Sequence, residues 1–119
     1  MQKFNFSYDK GNDDLFLFHP SSKSKGSVEL GDFILDFNNK KELVGIQIMN
    51  ASKLISEMVS ENISTIKGIL NNLRSCKVDV KVKNNILIIK FYLLGQIKEV
   101  APVISVPTIR ESSPALASA

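Results

Sequence analysis

Apolar and polar positions alternate at the start of the chain: Phe4, Phe6 and Tyr8 are separated by Asn5 and Ser7 and preceded by Lys3. A period of two predicts a strand with one buried and one wet face. An Asp, Gly and Asn-rich turn over 9–14 follows, and "DLFLFH" reads as the hairpin partner. "PSSKSKG" at 20–26 predicts a solvent-facing loop. "SVEL" and "DFILDF" flank Gly31, which predicts one strand bent or bulged at the glycine. "NNKK" at 38–41 is the next turn, and "ELVGIQIM" closes the run with Val44, Ile46 and Ile48 on one face.

From Asn50 the period lengthens. Ala51, Leu54, Ile55, Met58 and Val59 form one helical stripe, with Asn50 or Ser52 available to cap it. Ile66, Ile69, Leu70 and Leu73 form a second stripe, with Asn62 or Ser64 as the cap. Strict alternation then returns in "KVDVKVK", followed by the nearly continuous apolar run "ILIIKFYLL". The Asn84-Asn85 pair between them predicts a hairpin with its second strand more deeply buried. "VISV" at 103–106, fenced by Pro102 and Pro107, predicts a short edge strand. The pattern therefore predicts an α+β domain over 1–107: an N-terminal antiparallel β-meander of four or five strands, two helices on one face and a C-terminal β-hairpin. Residues 108–119 are expected to be a flexible tail.

Composition narrows the function classes. With 119 residues, 44% hydrophobic and 23% charged, the chain can build one soluble core. The net charge of +3 is unevenly spread: residues 1–50 sum to −1 and residues 51–119 to +4. Any anion-attracting surface is thus expected in the second half. No apolar stretch reaches membrane-span length, and the N-terminus lacks a signal-peptide pattern. One cysteine, Cys76, gives no intramolecular disulfide. Together these predict a cytoplasmic protein with no membrane contact.

"FSYDKGNDDLFLF" and "SVELGDFILDFNNKKELVGIQIMNAS" resemble the short prokaryotic domain-of-unknown-function family 2283. Tyr8-Asp9, Asp14, Asp36, Gly45-Ile46 and Ala51-Ser52 occupy the positions of the family pattern, over about residues 4–55. Gln47 stands where the family usually carries Glu, so no role for that carboxylate carries over. The helices and C-terminal hairpin resemble an extension in longer archaeal relatives. The resemblance implies a small meander sheet packed by a helix, and an antitoxin-like partner role suspected of short members.

Candidate chemistry is sparse. His19 is the only histidine and would need Cys76 or a serine brought to it across the fold to form a nucleophile–base pair. Arg74 and Lys77 beside Cys76 could lower its pKa, although a buried cysteine acting as a small hydrophobe is the plainer reading. Asp9, Asp13 and Asp14 offer oxygen ligands for a hard cation, but their spacing fails the EF-hand pattern and the turn reading leads. Arg74, Lys77, Lys81 and Lys83 could present positive charge to phosphates. No aromatic residue interleaves with them in sequence, and lysines on an exposed strand also block aggregation. The expectation is a non-enzymatic interaction module without a cofactor, self-associating or binding a partner protein. A weak cation-binding or nucleic-acid-binding module is the alternative.

Overall fold

The computed structural model describes residues 1–20 and 23–107, so the predicted tail at 108–119 and part of the loop at 20–26 lie outside the described residues. The strands are β1 (Gln2–Asp9), β2 (Asp14–Phe18), β3 (Gly26–Leu30), β4 (Phe33–Phe37) and β5 (Leu43–Ile48). Two helices follow, α1 (Ala51–Val59) and α2 (Ile63–Asn71). After them come β6 (Ser75–Lys83), β7 (Ile86–Leu94), β8 (Glu99–Val100) and β9 (Val103–Pro107). The class is α+β, with every strand pair antiparallel. The sheet order is β3-β4-β5-β2-β1-β6-β7-β8, with β9 also on β7.

The local signals explain most of this path. Asn84 and Asn85 both adopt positive φ, 52° and 66°, which matches the two-residue turn whose twist suits a hairpin. Lys83 faces Ile86 directly across it. Gly31 takes φ 59° in a turn between β3 and β4, so the predicted single bent strand is instead a tight hairpin. β8 and β9 keep one register along β7, with Leu93 opposite Val100 and Lys90 opposite Val103. They are one edge strand interrupted at Pro102, which has no N–H for the ladder but accepts at its carbonyl from Phe91 N–H at 3.0 Å.

β1 is the hinge of the sheet. Its residues 2–4 pair with β6, while residues 5–9 pair with β2. Phe33 on β4 and Phe91 on β7 have ring centroids 6.2 Å apart, although five strand intervals separate those strands. In a flat sheet that path would span roughly 24 Å at about 4.8 Å per interval. The sheet therefore folds over, and the inner faces of its two halves meet. Leu15, Leu17, Leu35, Ile46 and Ile48 come from one half, and Cys76, Val78, Ile89, Phe91 and Leu93 from the other. Burial of each large apolar side chain contributes about 1.5–3 kcal/mol. Ile55, Ile66, Ile69 and Leu70, the helix stripes read from the sequence, join the same core. Near Met1 the fold leaves a cleft of about 300 Å³, lined in part by Phe4, Phe37, Val80, Val82 and Leu87.

One register shift alters the predicted face of β5. An irregularity at Asp36 and Phe37 sets Phe37 opposite Leu43, so Leu43 rather than Val44 joins Ile46 and Ile48 in the core cluster. Just before the shift Asp36 pairs with Gly45. A Cβ at position 45 would lie 2.8 Å from Asp36 Oδ2 and 3.2 Å from its Cβ. Gly45→Ala is therefore expected to destabilise by about 1–3 kcal/mol in urea titration. Gly26→Ala meets nothing within 4 Å and should change stability by no more than about 0.5 kcal/mol; equal effects of the two would contradict this packing.

Candidate functional site

The acidic turn between β1 and β2 is a connector between the sheet and the first helix. Asp13 adopts φ 55°, a backbone conformation that short polar side chains tolerate. Its carbonyl accepts from Ala51 N–H at 2.9 Å. Its carboxylate accepts from Ser52 N–H at 3.1 Å to each oxygen, and from the Ser52 hydroxyl at 2.7 Å. The Tyr8 hydroxyl donates to the same carboxylate at 2.5 Å. Two N–H groups at the start of α1, which no helical carbonyl can reach, are thereby satisfied from another element. The negative charge also lies at the positive end of the helix dipole.

This corrects the sequence-based assignment of the α1 cap. Asn50 sits in the left-handed region at φ 52° and makes no side-chain cap bond. Ser52 is a donor to Asp13 and is almost fully buried. In α2 the expected residue does cap: Asn62 accepts from Ser64 N–H at 2.8 Å.

The three turn carboxylates divide their roles. Asp9 accepts from the Asn12 side-chain amide at 2.7 Å and from Asn12 N–H at 3.2 Å, and these bonds hold its carboxyl below the usual range. Asp13 faces Ser52 and Tyr8, while Asp14 opens β2 opposite Asp9. Beside them Tyr8, Lys10, Gly11, Asp13, Lys67 and Asn71 line a cleft of about 280 Å³, which puts two ammonium groups near the acidic turn. Among the described residues, no group of three or more His, Cys, Asp or Glu side chains could hold a metal ion. Asp36, the other carboxylate of the sequence pattern, accepts a short hydrogen bond from the Ser27 hydroxyl.

Of the remaining candidates, His19 and Cys76 both neighbour Phe4, while the lysines lie on the outer face of β6. His19 stacks edge-on against Phe4 at 5.9 Å, and its backbone N–H donates to the Val44 carbonyl at 2.8 Å. Cys76 is fully buried, and desolvation pushes its thiol up to about 12, opposite to the activation that nearby Arg74 and Lys77 suggested. Lys77, Lys81 and Lys83 do share the outer face of β6, with Asp79 3.9 Å from Lys81. Arg74 precedes the strand at an even position, out of step with that row. Sheet pairing adds residues that no local motif marks: Lys3 and Tyr92 flank Lys77, and the Lys90 ammonium lies 5.1 Å from the Tyr92 ring centroid.

The family described as "Protein of unknown function (DUF2283)" matches residues 5–52 of the chain. An uncharacterised protein of Methanocaldococcus jannaschii is 34% identical over 100 residues, covering 82% of this chain and 80% of its own. The chain belongs to the DUF2283 family. No solved structure matches it. The matched segment contains both ends of the latch, Tyr8 with Asp13 and Ser52, together with the Asp36–Gly45 approach. Among the described residues, no helix is long and apolar enough to cross a membrane.

Asp13→Ala leaves a buried hydroxyl, a helix-start N–H and the Tyr8 hydroxyl without their common acceptor. A loss of about 2–4 kcal/mol is expected by urea titration, against about 1 kcal/mol for Tyr8→Phe. A loss below about 0.5 kcal/mol for Asp13→Ala would contradict the latch.

Alkaline pH tests the buried groups. Burial raises the Tyr8 hydroxyl above its ordinary range, followed by its bond to Asp13 and the charges of Asp13 and Asp9. Cys76 is raised from 9.0 to about 12. Both groups stabilise the fold fully below their unfolded values, and that contribution is lost as pH rises toward the folded ones. The urea midpoint is thus expected to fall above about pH 9. At pH 8 a thiol reagent should leave native Cys76 unmodified and titrate it fully after unfolding; rapid native labelling would refute its burial.

Proposed function

We propose that this protein is a non-enzymatic interaction module of the cytoplasm and that its binding surface is the exterior of the folded sheet. The supporting observation is the distribution of exposed apolar side chains: Phe16, Ile86, Leu94 and Val103 all stand 38–46% exposed on outward strand positions. Phe16 also stacks on Phe18 at 5.2 Å, forming an aromatic step on one exterior. Exposed large apolar groups mark contact sites in soluble proteins, and here each half-sheet carries its own set: Phe16 on the first exterior, and Ile86, Leu94 and Val103 on the second. By contrast, the groups with nucleophilic or acid–base potential already have structural work: Cys76 fills the core, and Tyr8 and Asp13 hold the helix.

A second reading, binding of single-stranded nucleic acid, draws on the lysine row. Lys3, Lys77, Lys81, Lys83 and Lys90 share the exterior of the second half-sheet with Tyr92. That surface has a single aromatic, over which Lys90 already lies, so it offers little area for base stacking.

Cross-linking in cells of the native host distinguishes a binding module from an isolated chain. The wild-type protein should yield cross-linked species above the monomer mass. A Phe16→Ser, Ile86→Ser variant should lose them while its melting temperature shifts by no more than a few degrees. Monomer alone in the wild type would refute the proposal.

A further inference from the structure

Because the sheet folds on its inner face, its two exteriors point to opposite sides of the molecule. Their compositions are complementary. On the first half, the outward charges within the strands are all carboxylates: Asp9, Asp14, Glu29 and Asp36. Phe16, Phe18 and Ile34 lie among them, and the Asp36 side chain lies over Gly45. On the second half, five lysines (Lys3, Lys77, Lys81, Lys83 and Lys90) stand against two carboxylates, Asp79 and Glu99. Ile86, Ile88, Leu94 and Val103 are the apolar residues of this side.

We infer that the occupant of each exterior is a second copy of this chain: the acidic, aromatic exterior of one copy docks on the basic, aliphatic exterior of the next. This rests on the reading of the sheet exterior as the binding surface and names its partner. Each side supplies an apolar patch for desolvation and charges of the sign that the other lacks, the combination that fixes orientation and suppresses like-to-like contact. Like-to-like pairing would set four carboxylates against four, or the lysine rows against each other. A head-to-tail contact between opposite sides does not close at two copies, because each added copy presents a fresh exterior. The association is therefore open-ended or ends in a ring larger than a dimer. Its electrostatic part weakens as salt screens the exposed charges.

Sedimentation velocity of the purified protein, across concentration and at low and high salt, tests this. The expected result is a mass that climbs past the dimer with concentration at low ionic strength and falls with added salt. The variants Lys81→Glu, Lys83→Glu and Asp14→Lys, Glu29→Lys avoid the latch and the core, and thermal melting checks that each is folded. Each alone should associate at least about tenfold more weakly than wild type. Mixing the two should restore association, because the unchanged acidic exterior of the first variant (four carboxylates) can dock on the unchanged basic exterior of the second (five lysines against two carboxylates). A wild-type monomer at all concentrations, a closed dimer, or assembly indifferent to both charge reversals would overturn the inference. Retention of a single-stranded RNA oligonucleotide by a monomeric wild type, lost in Lys81→Glu, Lys83→Glu, would overturn it in favour of the anion reading. If the wild type is monomeric but cross-links to a different protein through Phe16 and Ile86, self-association fails while the binding-module proposal stands.

Discussion

The carboxylate of Asp13 is the junction on which the arrangement of sheet and helices depends. One acidic side chain satisfies the N-terminal N–H and hydroxyl of Ser52 and the hydroxyl of Tyr8, while its own carbonyl takes the N–H of Ala51. These groups come from β1, the β1–β2 turn and α1, so a single acceptor fixes where the helix starts relative to the first hairpin. A helix of nine residues has little stability of its own in water. With its first N–H groups satisfied from the hairpin and Ile55 in the core, it is held from two directions.

That junction determines what the inner face can do. The α1 and α2 stripes supply Ile55, Ile66, Ile69 and Leu70 to the same cluster as Ile46 and Phe91. The fold of the sheet about β1 then brings Phe33 to Phe91. With the inner face used for packing, the exterior strand positions are left to solvent or to partners. The same constraint explains why Tyr8, Asp36, Gly45 and Ser52 of the family pattern read as architecture, with Asp13, which that pattern does not mark, joining Tyr8 to Ser52. Tyr8, Asp13 and Ser52 tie the hairpin to the helix, and Gly45 makes room for Asp36.

The sequence made local features legible and distant ones obscure. Helix stripes, the Asn84-Asn85 hairpin and the proline-fenced edge strand follow from periods and turn chemistry acting within a few residues. Gly31 was ambiguous because a bulge and a tight turn both favour a glycine, and only pairing of Leu30 with Phe33 distinguishes them. The α1 cap was misplaced for a different reason: local candidates stood at Asn50 and Ser52, but the acceptor lies 39 residues earlier. Likewise, Tyr92 is 15 positions from Lys77 in sequence and directly opposite it across β6 and β7. The basic exterior is foreshadowed by the alternating lysines at 77, 81 and 83, and the acidic one only by the charge difference between the two halves of the chain, −1 against +4. Which strand positions face outward together depended on the fold about β1.

The most direct test of the central claim is native-state hydrogen exchange at the Ala51 and Ser52 amides. Helix-start amides are ordinarily among the first to exchange, because they lack intrahelical acceptors. If Asp13 holds them, both should exchange as slowly as amides in the middle of β5. In Asp13→Ala the Ser52 amide, which loses its carboxylate acceptor, should become fast, while the Ala51 amide, bonded to the retained backbone carbonyl, and the β5 amides remain slower. Exchange of both amides in the wild-type protein at the rate of exposed turn residues would contradict the account.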